Sequence, residues 1–271
     1  DARLGVDGLP QSASGQTTII TGVNAPALLG RHLSAFPGGS LRAVLREHSL
    51  FRRLRDAGLR VAHANVAPSS IARRRVRTVS AMTVAAEEAG LAPRTLEDVA
   101  AGRALHHDFT NESLISYGFA MPRLDPREAG RRLARIAASH DFCAFEYFHT
   151  DAAGHARDAG AVRRHVERLD AFLDALLEAT DLARSTVLLT SDHGNAEDVS
   201  TGSHTLNPVA ALAWGRRAAE TAARIRALTD VAPALVDTLD RTDDDAVIAE
   251  NALELDDVGE TRQFDRPGQL C

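Results

Sequence analysis

Two apolar runs in this chain end in the same kind of polar cluster. Residues 141–148 lead into His149-Thr150-Asp151-Ala152-Ala153-Gly154-His155, and residues 185–190 lead into Ser191-Asp192-His193-Gly194-Asn195. Short, near-continuous apolar runs bounded by polar turns read as strands buried on both faces. Around them lie segments of helical period: residues 12–21, 25–29 behind Asn24, 41–57, 79–89, 95–101, 126–139, 156–180 and 228–239. Further strands are expected at 59–66 and 209–214. This alternation predicts an α/β fold, a mostly parallel sheet with helices on both faces. In such sheets ligands gather at the carboxyl ends of the strands, where both Asp-His clusters fall.

A third cluster, Gly202-Ser203-His204-Thr205-Leu206-Asn207-Pro208, precedes the strand expected at 209–214. Asp151, His155, Asp192, His193 and His204 can therefore converge on one place. A mixture of Asp oxygen and imidazole nitrogen suits Mn²⁺ or Zn²⁺ better than Ca²⁺, which prefers all-oxygen shells. Five ligands exceed the needs of one tetrahedral ion, so two ions are expected. Two ions about 3.5–4 Å apart suit a phosphoryl displacement. A lone Asp-His dipeptide is an ordinary turn; the argument rests on two strand ends and a third loop supplying the same chemistry. His63, His140, His149 and His165 are assigned structural roles.

Composition removes several alternatives. All 31 residues counted as Lys plus Arg are Arg. Without lysine the chain cannot be a P-loop NTPase, a protein kinase or a Schiff-base enzyme. The net charge of −6 and the 4% aromatic content argue against a nucleic-acid partner. The arginines at Arg73, Arg74, Arg75 and Arg77 are expected to form a solvated basic face. Cys143 and Cys271 suggest no disulfide framework, which fits a cytoplasmic location. No run reaches the roughly 18 apolar residues of a membrane span.

The segment Pro10-Gln11-Ser12-Ala13-Ser14-Gly15-Gln16 puts small hydroxyl residues at a helix start, where free N–H groups and positive potential favour phosphate. It does not match Gly-x-Ser-x-Gly, so a nucleophile elbow is not expected. Taken with Thr150-Asp151-Ala152-Ala153-Gly154-His155, Ser191-Asp192-His193-Gly194-Asn195 and His204-Thr205-Leu206-Asn207-Pro208, it resembles the alkaline phosphatase superfamily. The branch it resembles is that of cofactor-independent phosphoglycerate mutase and phosphopentomutase. The resemblance implies an alkaline-phosphatase-like catalytic domain over 1–240 with a small cap-like lobe at 67–125, while the acidic tail at 241–271, poor in large apolar residues and without a clean period, is expected to be weakly ordered. It implies that Asp151, His155 and His204 hold one ion and that Asp192, His193 and Ser12 touch the other. Ser12 is then the nucleophile, carrying a phosphoserine. The ions are expected to be Mn²⁺, with Zn²⁺ as the alternative, and the partner a small phosphate ester. Arg31 and His32 are candidate substrate contacts. Sulfate or phosphonate esters suit the same kind of site, and hydrolase and mutase both remain open.

Two departures from the family qualify this picture. The family's first strand ends in an Asp-Gly pair whose Asp holds the second ion, and this chain has no room for it. Asp7-Gly8 imitates the dipeptide but lies only five residues before Ser12. The expectation is a chain truncated upstream of Asp1, one carboxylate short at the second ion. A catalytically impaired remnant that binds one ion is the alternative reading. The middle segment is also too short for the mutases' cap, so their substrate contacts do not transfer. His106-His107-Asp108-Phe109-Thr110-Asn111 is expected to be a turn, and Glu146 to pair with an arginine.

Overall fold

The computed structural model describes residues 1–72, 76 and 78–240. The arginines at 73, 74, 75 and 77, the acidic tail and Cys271 lie outside the described residues. Helices α1 (Ser12–Thr21) and α2 (Ala25–Leu29) fall where the sequence places them. Asn24 accepts the Ala27 N–H at 3.1 Å, and Pro26 occupies the first turn of α2, two devices that start a helix. The single helix expected over 41–57 is two helices, α3 (Gly39–His48) and α4 (Leu50–Asp56). Ser49 separates them with extended backbone, φ −64° and ψ 144°, and its hydroxyl accepts the Arg52 N–H. It thus ends one helix and caps the next.

Strand β1 (Val61–His63) is followed by α5 (Pro68–Ala72), α6 (Ala81–Glu88) and α7 (Leu96–Ala100). Ser80 caps α6, and a capping box of Thr95 and Asp98 starts α7. Helices α8 (Glu112–Ser116) and α9 (Pro126–Ala137) lead to β2 (Phe142–Ala144). Next come α10 (His149–His155) and the long α11 (Ala159–Ala179), capped by Asp158. Strands β3 (Thr186–Thr190) and β4 (Ala211–Gly215) precede α12 (Ala218–Arg224) and α13 (Val231–Asp240).

The fold is α/β, as the alternation of periods predicts. β1 and β2 pair in parallel, with His63 opposite Ala144. β3 and β4 pair antiparallel, from Thr186 opposite Gly215 to Thr190 opposite Ala211. No helix lies between β3 and β4 in the chain, and a strand return without a crossover pairs antiparallel. Among the described residues the strands thus form two separate two-stranded sheets, one parallel and one antiparallel, in place of the single, mostly parallel sheet expected.

Alternation along β2 and its extension sorts the side chains between two cores. Phe142 and Ala144 pack on a core of Ile20, Leu45, Phe51, Val84 and Val236. Cys143, Phe145 and Tyr147 pack on the other, built from Leu105, Phe109, Leu133, Phe172 and Leu176. Glu146 follows Phe142 and Ala144 and so faces the first core. The expected arginine partner is absent among the described residues. Instead its Oε2 accepts from Ser80 Oγ at 2.8 Å and lies 3.4 Å from His63 Nε2. No helix among the described residues is long and apolar enough to cross a membrane.

Phe51 is fully buried, and its ring centroid lies 5.6 Å from that of Phe142. Phe51→Ala is expected to cost about 3–5 kcal/mol in chemical denaturation. A loss below about 1 kcal/mol would contradict this core.

Candidate metal centre

Asp151 and His155 sit on α10, a helix where the sequence suggested only a loop beyond a strand. Their four-residue spacing puts both on one helix face. His204 arrives from the loop before β4. The three side chains form the group of potential ligands found among the described residues. His155 Nε2 lies 3.4 Å and His204 Nε2 lies 3.7 Å from Asp151 Oδ1. The two Nε2 atoms are 3.2 Å apart.

The tautomers follow from the second ring nitrogens. His204 Nδ1 lies 2.7 Å from the Pro10 carbonyl, and His155 Nδ1 lies 2.9 Å from the Gly202 carbonyl. A carbonyl only accepts, so each Nδ1 carries the proton and donates it. A ring protonated at Nδ1 alone presents a bare Nε2 lone pair. Two lone pairs 3.2 Å apart beside a carboxylate oxygen repel unless a proton or a metal ion lies among them. Ligands about 2.0–2.1 Å from a tetrahedral ion are roughly 3.3 Å from one another, close to the separations seen. A backbone carbonyl behind a ligand histidine is also the usual outer support of such a site. The donor set fits a divalent transition ion, and the structure supports divalent metal binding here.

The other predicted residues stand against this triad. Ser12 opens α1, and its Oγ lies 2.9 Å from His193 Nε2. The His193 ring stacks on His204 with centroids 3.6 Å apart. His193 Nε2 is 3.6 Å from Asp192 Oδ1 and 3.9 Å from Asp151 Oδ1. Burial holds His193 and His204 below the usual imidazole range, so both stay neutral. Burial, with the charges of Asp151 and Glu146 added, pushes the Asp192 carboxyl up to about 7. Gly15 lets α1 lie against this loop, because a Cβ there would stand 2.7 Å from the Asp192 carbonyl.

The remaining candidates stay apart from this network. Arg31 is exposed, while His32 Nε2 faces the Val6 carbonyl at 3.3 Å. Asp7 is exposed and is not among the grouped ligands. The 106–111 segment is a buried turn held by Asp108, which accepts the N–H groups of Asn111 at 2.9 Å and Ser113 at 2.6 Å.

Two residues of the centre escaped the sequence reading. Asn195 Nδ2 donates to Asp151 Oδ1 at 3.0 Å and so aims the carboxylate. A Cβ on Gly154 would collide with the Asn195 side chain, which is why α10 carries glycine at its closest approach. Glu197 ties the two loops together. It accepts from the Asn195 N–H at 2.6 Å, from Asn207 Nδ2 at 3.1 Å and from the Thr205 hydroxyl. The available signal was a carboxylate two residues beyond Asn195, on a loop that must be rigid to place its histidine.

With this geometry in place, the comparisons show what part of the chain is similar to. Residues 112–243 match the family model of the metalloenzyme superfamily. That stretch is just under half of the chain, and over it the chain resembles the metalloenzyme superfamily and the 2,3-bisphosphoglycerate-independent phosphoglycerate mutases. It is 33% identical over 124 residues to the 2,3-bisphosphoglycerate-independent phosphoglycerate mutase of Desulforudis audaxviator, covering 44% of this chain and 24% of that one. It is 37% identical over 107 residues to the Halobacterium salinarum protein of the same name, covering 36% and 21% respectively. The matched stretch thus spans about a quarter of these relatives or less. The structure of the PH0037 protein from Pyrococcus horikoshii superposes with TM-score 0.47 and 18% identity, over 72% of this chain and 53% of that one.

The raised Asp192 pKa has a stability consequence. The carboxyl titrates near 3.8 when unperturbed and about 7 when folded. Its burial therefore costs nothing below the unfolded pKa, and the cost grows as pH rises through the folded value. Asp192→Asn is expected to stabilise the metal-free chain by roughly 2–4 kcal/mol at pH 8 and not at pH 4. A difference that does not change with pH would contradict the burial of this carboxyl.

Proposed function

We propose that the chain is a divalent-metal-dependent phosphoryl-transfer enzyme that acts on a small phosphate ester through a phosphoserine at Ser12. The observation that carries this reading is the placement of the Ser12 hydroxyl against His193, beside three ligand atoms with no donor between them. Asp151, His155 and His204 would hold one ion, and Asp192 and His193, with Ser12, the other. When bound, such ions lower the charge on phosphoryl oxygens and acidify the serine hydroxyl. Mn²⁺ is the assigned ion and Zn²⁺ the alternative, because the nitrogen-oxygen donor set suits both.

The chain's own groups do the rest. α1 begins at Ser12 with no side-chain cap, and although the Ser14 N–H donates to the Leu33 carbonyl, the N–H groups of Ser12 and Ala13 face no partner within the helix and suit a phosphoryl oxygen. Ser12 Oγ gives up its proton and forms a bond to phosphorus as the ester oxygen leaves with the bonding pair and takes up a proton in exchange. Attack on the phosphoserine by water completes a hydrolysis, and attack by a second hydroxyl completes a mutase cycle. The mutase relatives favour the second outcome. Arg31 and His32 are proposed substrate contacts, since Leu33 binds α1 through Ser14 Oγ at 3.0 Å.

The second reading, a remnant holding one ion, is favoured by a single observation. The ligand group found among the described residues includes neither Asp192 nor His193. Metal analysis separates the two readings: near two equivalents for the enzyme, one for the remnant. The direct test is hydrolysis of an aryl phosphate in Mn²⁺ by wild type and Ser12→Ala. The variant is expected to lose activity about 10³-fold or more, together with phosphate on the Ser12 peptide. Equal rates would sink the nucleophile assignment.

A further inference from the structure

Glu197 is exposed, yet both of its carboxylate oxygens are taken by the chain itself. Oε2 accepts the Asn195 N–H at 2.6 Å. Oε1 accepts Asn207 Nδ2 at 3.1 Å and the Thr205 hydroxyl. Asn195 lies in the segment that leaves β3, while Thr205 and Asn207 lie in the segment that enters β4. These segments meet at Gly194 and Thr205, where the Thr205 N–H donates to the Gly194 carbonyl at 3.0 Å. A single ionised carboxylate can serve three donors because each oxygen offers two lone pairs. Burial opposes the charge, but the hydrogen bonds from Thr205, Asn207 and Asn195 outweigh it and hold the Glu197 carboxyl below its usual range.

Two of these donors stand next to the metal ligands. Asn195 carries the amide that donates to Asp151 Oδ1 at 3.0 Å. Thr205 directly follows His204, whose Nδ1 is held by the Pro10 carbonyl. Gly194 lies against the clamp itself. A Cβ there would stand 2.6 Å from Glu197 Oε1 and closer still to Thr205 Oγ1, so a side chain at 194 would part the two. Gly154 makes the matching space for the Asn195 amide on α10. Two chains of contact therefore start from one carboxylate, through Asn195 to Asp151 and through Thr205 to His204.

We propose that Glu197 is the positioning residue of the triad, and that its carboxylate sets the affinity for the ion held by Asp151, His155 and His204 without bonding to that ion. The inference rests on metal binding by the triad; it needs neither the second ion nor the role of Ser12. Asp151 stands on a helix and His204 on a loop, so the distance between them depends on what joins the two loop segments. Without the carboxylate, the Asn195 N–H and the Thr205 hydroxyl turn to water and the segments move independently. The ion must then order its own ligands, and that entropy is lost from the affinity.

Mn²⁺ titration calorimetry and Co²⁺ absorption spectra test this on the wild-type chain, Glu197→Ala and Glu197→Asp. The binding step that His204→Ala abolishes is the one that belongs to the triad. Glu197→Ala is expected to bind that ion about 10–100-fold more weakly. Its Co²⁺ spectrum, which reports ligand geometry, should differ from that of wild type. Its thermal unfolding without metal should stay close to wild type, because the residue is exposed and water replaces its hydrogen bonds. Aspartate keeps the charge and both acceptor oxygens, so Glu197→Asp should recover part of the affinity. Wild-type affinity and spectrum in Glu197→Ala would overturn this proposal alone, as would an aspartate variant no better than alanine. A Glu197→Ala chain that is clearly less stable without metal, or that does not fold, would overturn it too, because the carboxylate would then serve the fold. A wild-type chain with no binding step that depends on His204 would overturn the metal reading itself.

Discussion

The packing of α1 against the 192–205 loop is the contact on which the rest of the centre depends. Ser12 meets His193, Gly15 closes on Asp192, and the carbonyl of Pro10 receives the Nδ1 proton of His204. The N-terminal segment is held from its far side as well. The Leu228 N–H donates to the Asp1 carbonyl at 3.0 Å, and Asn24 Nδ2 donates to the Leu4 carbonyl at 3.0 Å. The first fifteen residues thus act as a wedge that orients ligands contributed by residues far along the chain. A nucleophile and its metal ligands that lie so far apart in sequence need such a long-range anchor.

The hydrogen bonds that orient the ligands also determine what the centre lacks. Carbonyls behind His155 and His204 leave both Nε2 atoms as acceptors, and Asn195 aims Asp151 toward them. The result is a preorganised set of lone pairs whose mutual repulsion a bound metal ion relieves. Metal binding should therefore be linked to stability, since an ion that binds only the folded chain stabilises it by mass action. The buried Asp192 carboxyl extends that linkage beyond the triad.

Much of this was legible because metal chemistry leaves its mark on residue type and spacing. Asp151 with His155, Asp192 with His193, and His204 could be grouped before any contact was known. The helix that carries the first pair was not legible, because His149–His155 is short and continues directly from an apolar run. Asn195 and Glu197 were missed for another reason: they work by hydrogen bonds across loops, which no local pattern reveals. Glu146 was assigned an arginine partner because a sequence displays charge but not burial. The division between 41 and 57 turned on one serine with extended backbone inside a continuous helical pattern. The antiparallel pairing of β3 with β4 depended on which edges meet, and hydrophobic period carries no information about that.

The central claim is that these side chains form a metal centre with Ser12 at its edge. Anomalous scattering at the manganese edge, from crystals grown with Mn²⁺, tests it most directly. The account predicts one peak bonded to Asp151, His155 and His204. A second should lie about 3.5–4 Å away, between Ser12 and Asp192. Crystals that contain manganese but show no peak among Asp151, His155 and His204 would contradict it.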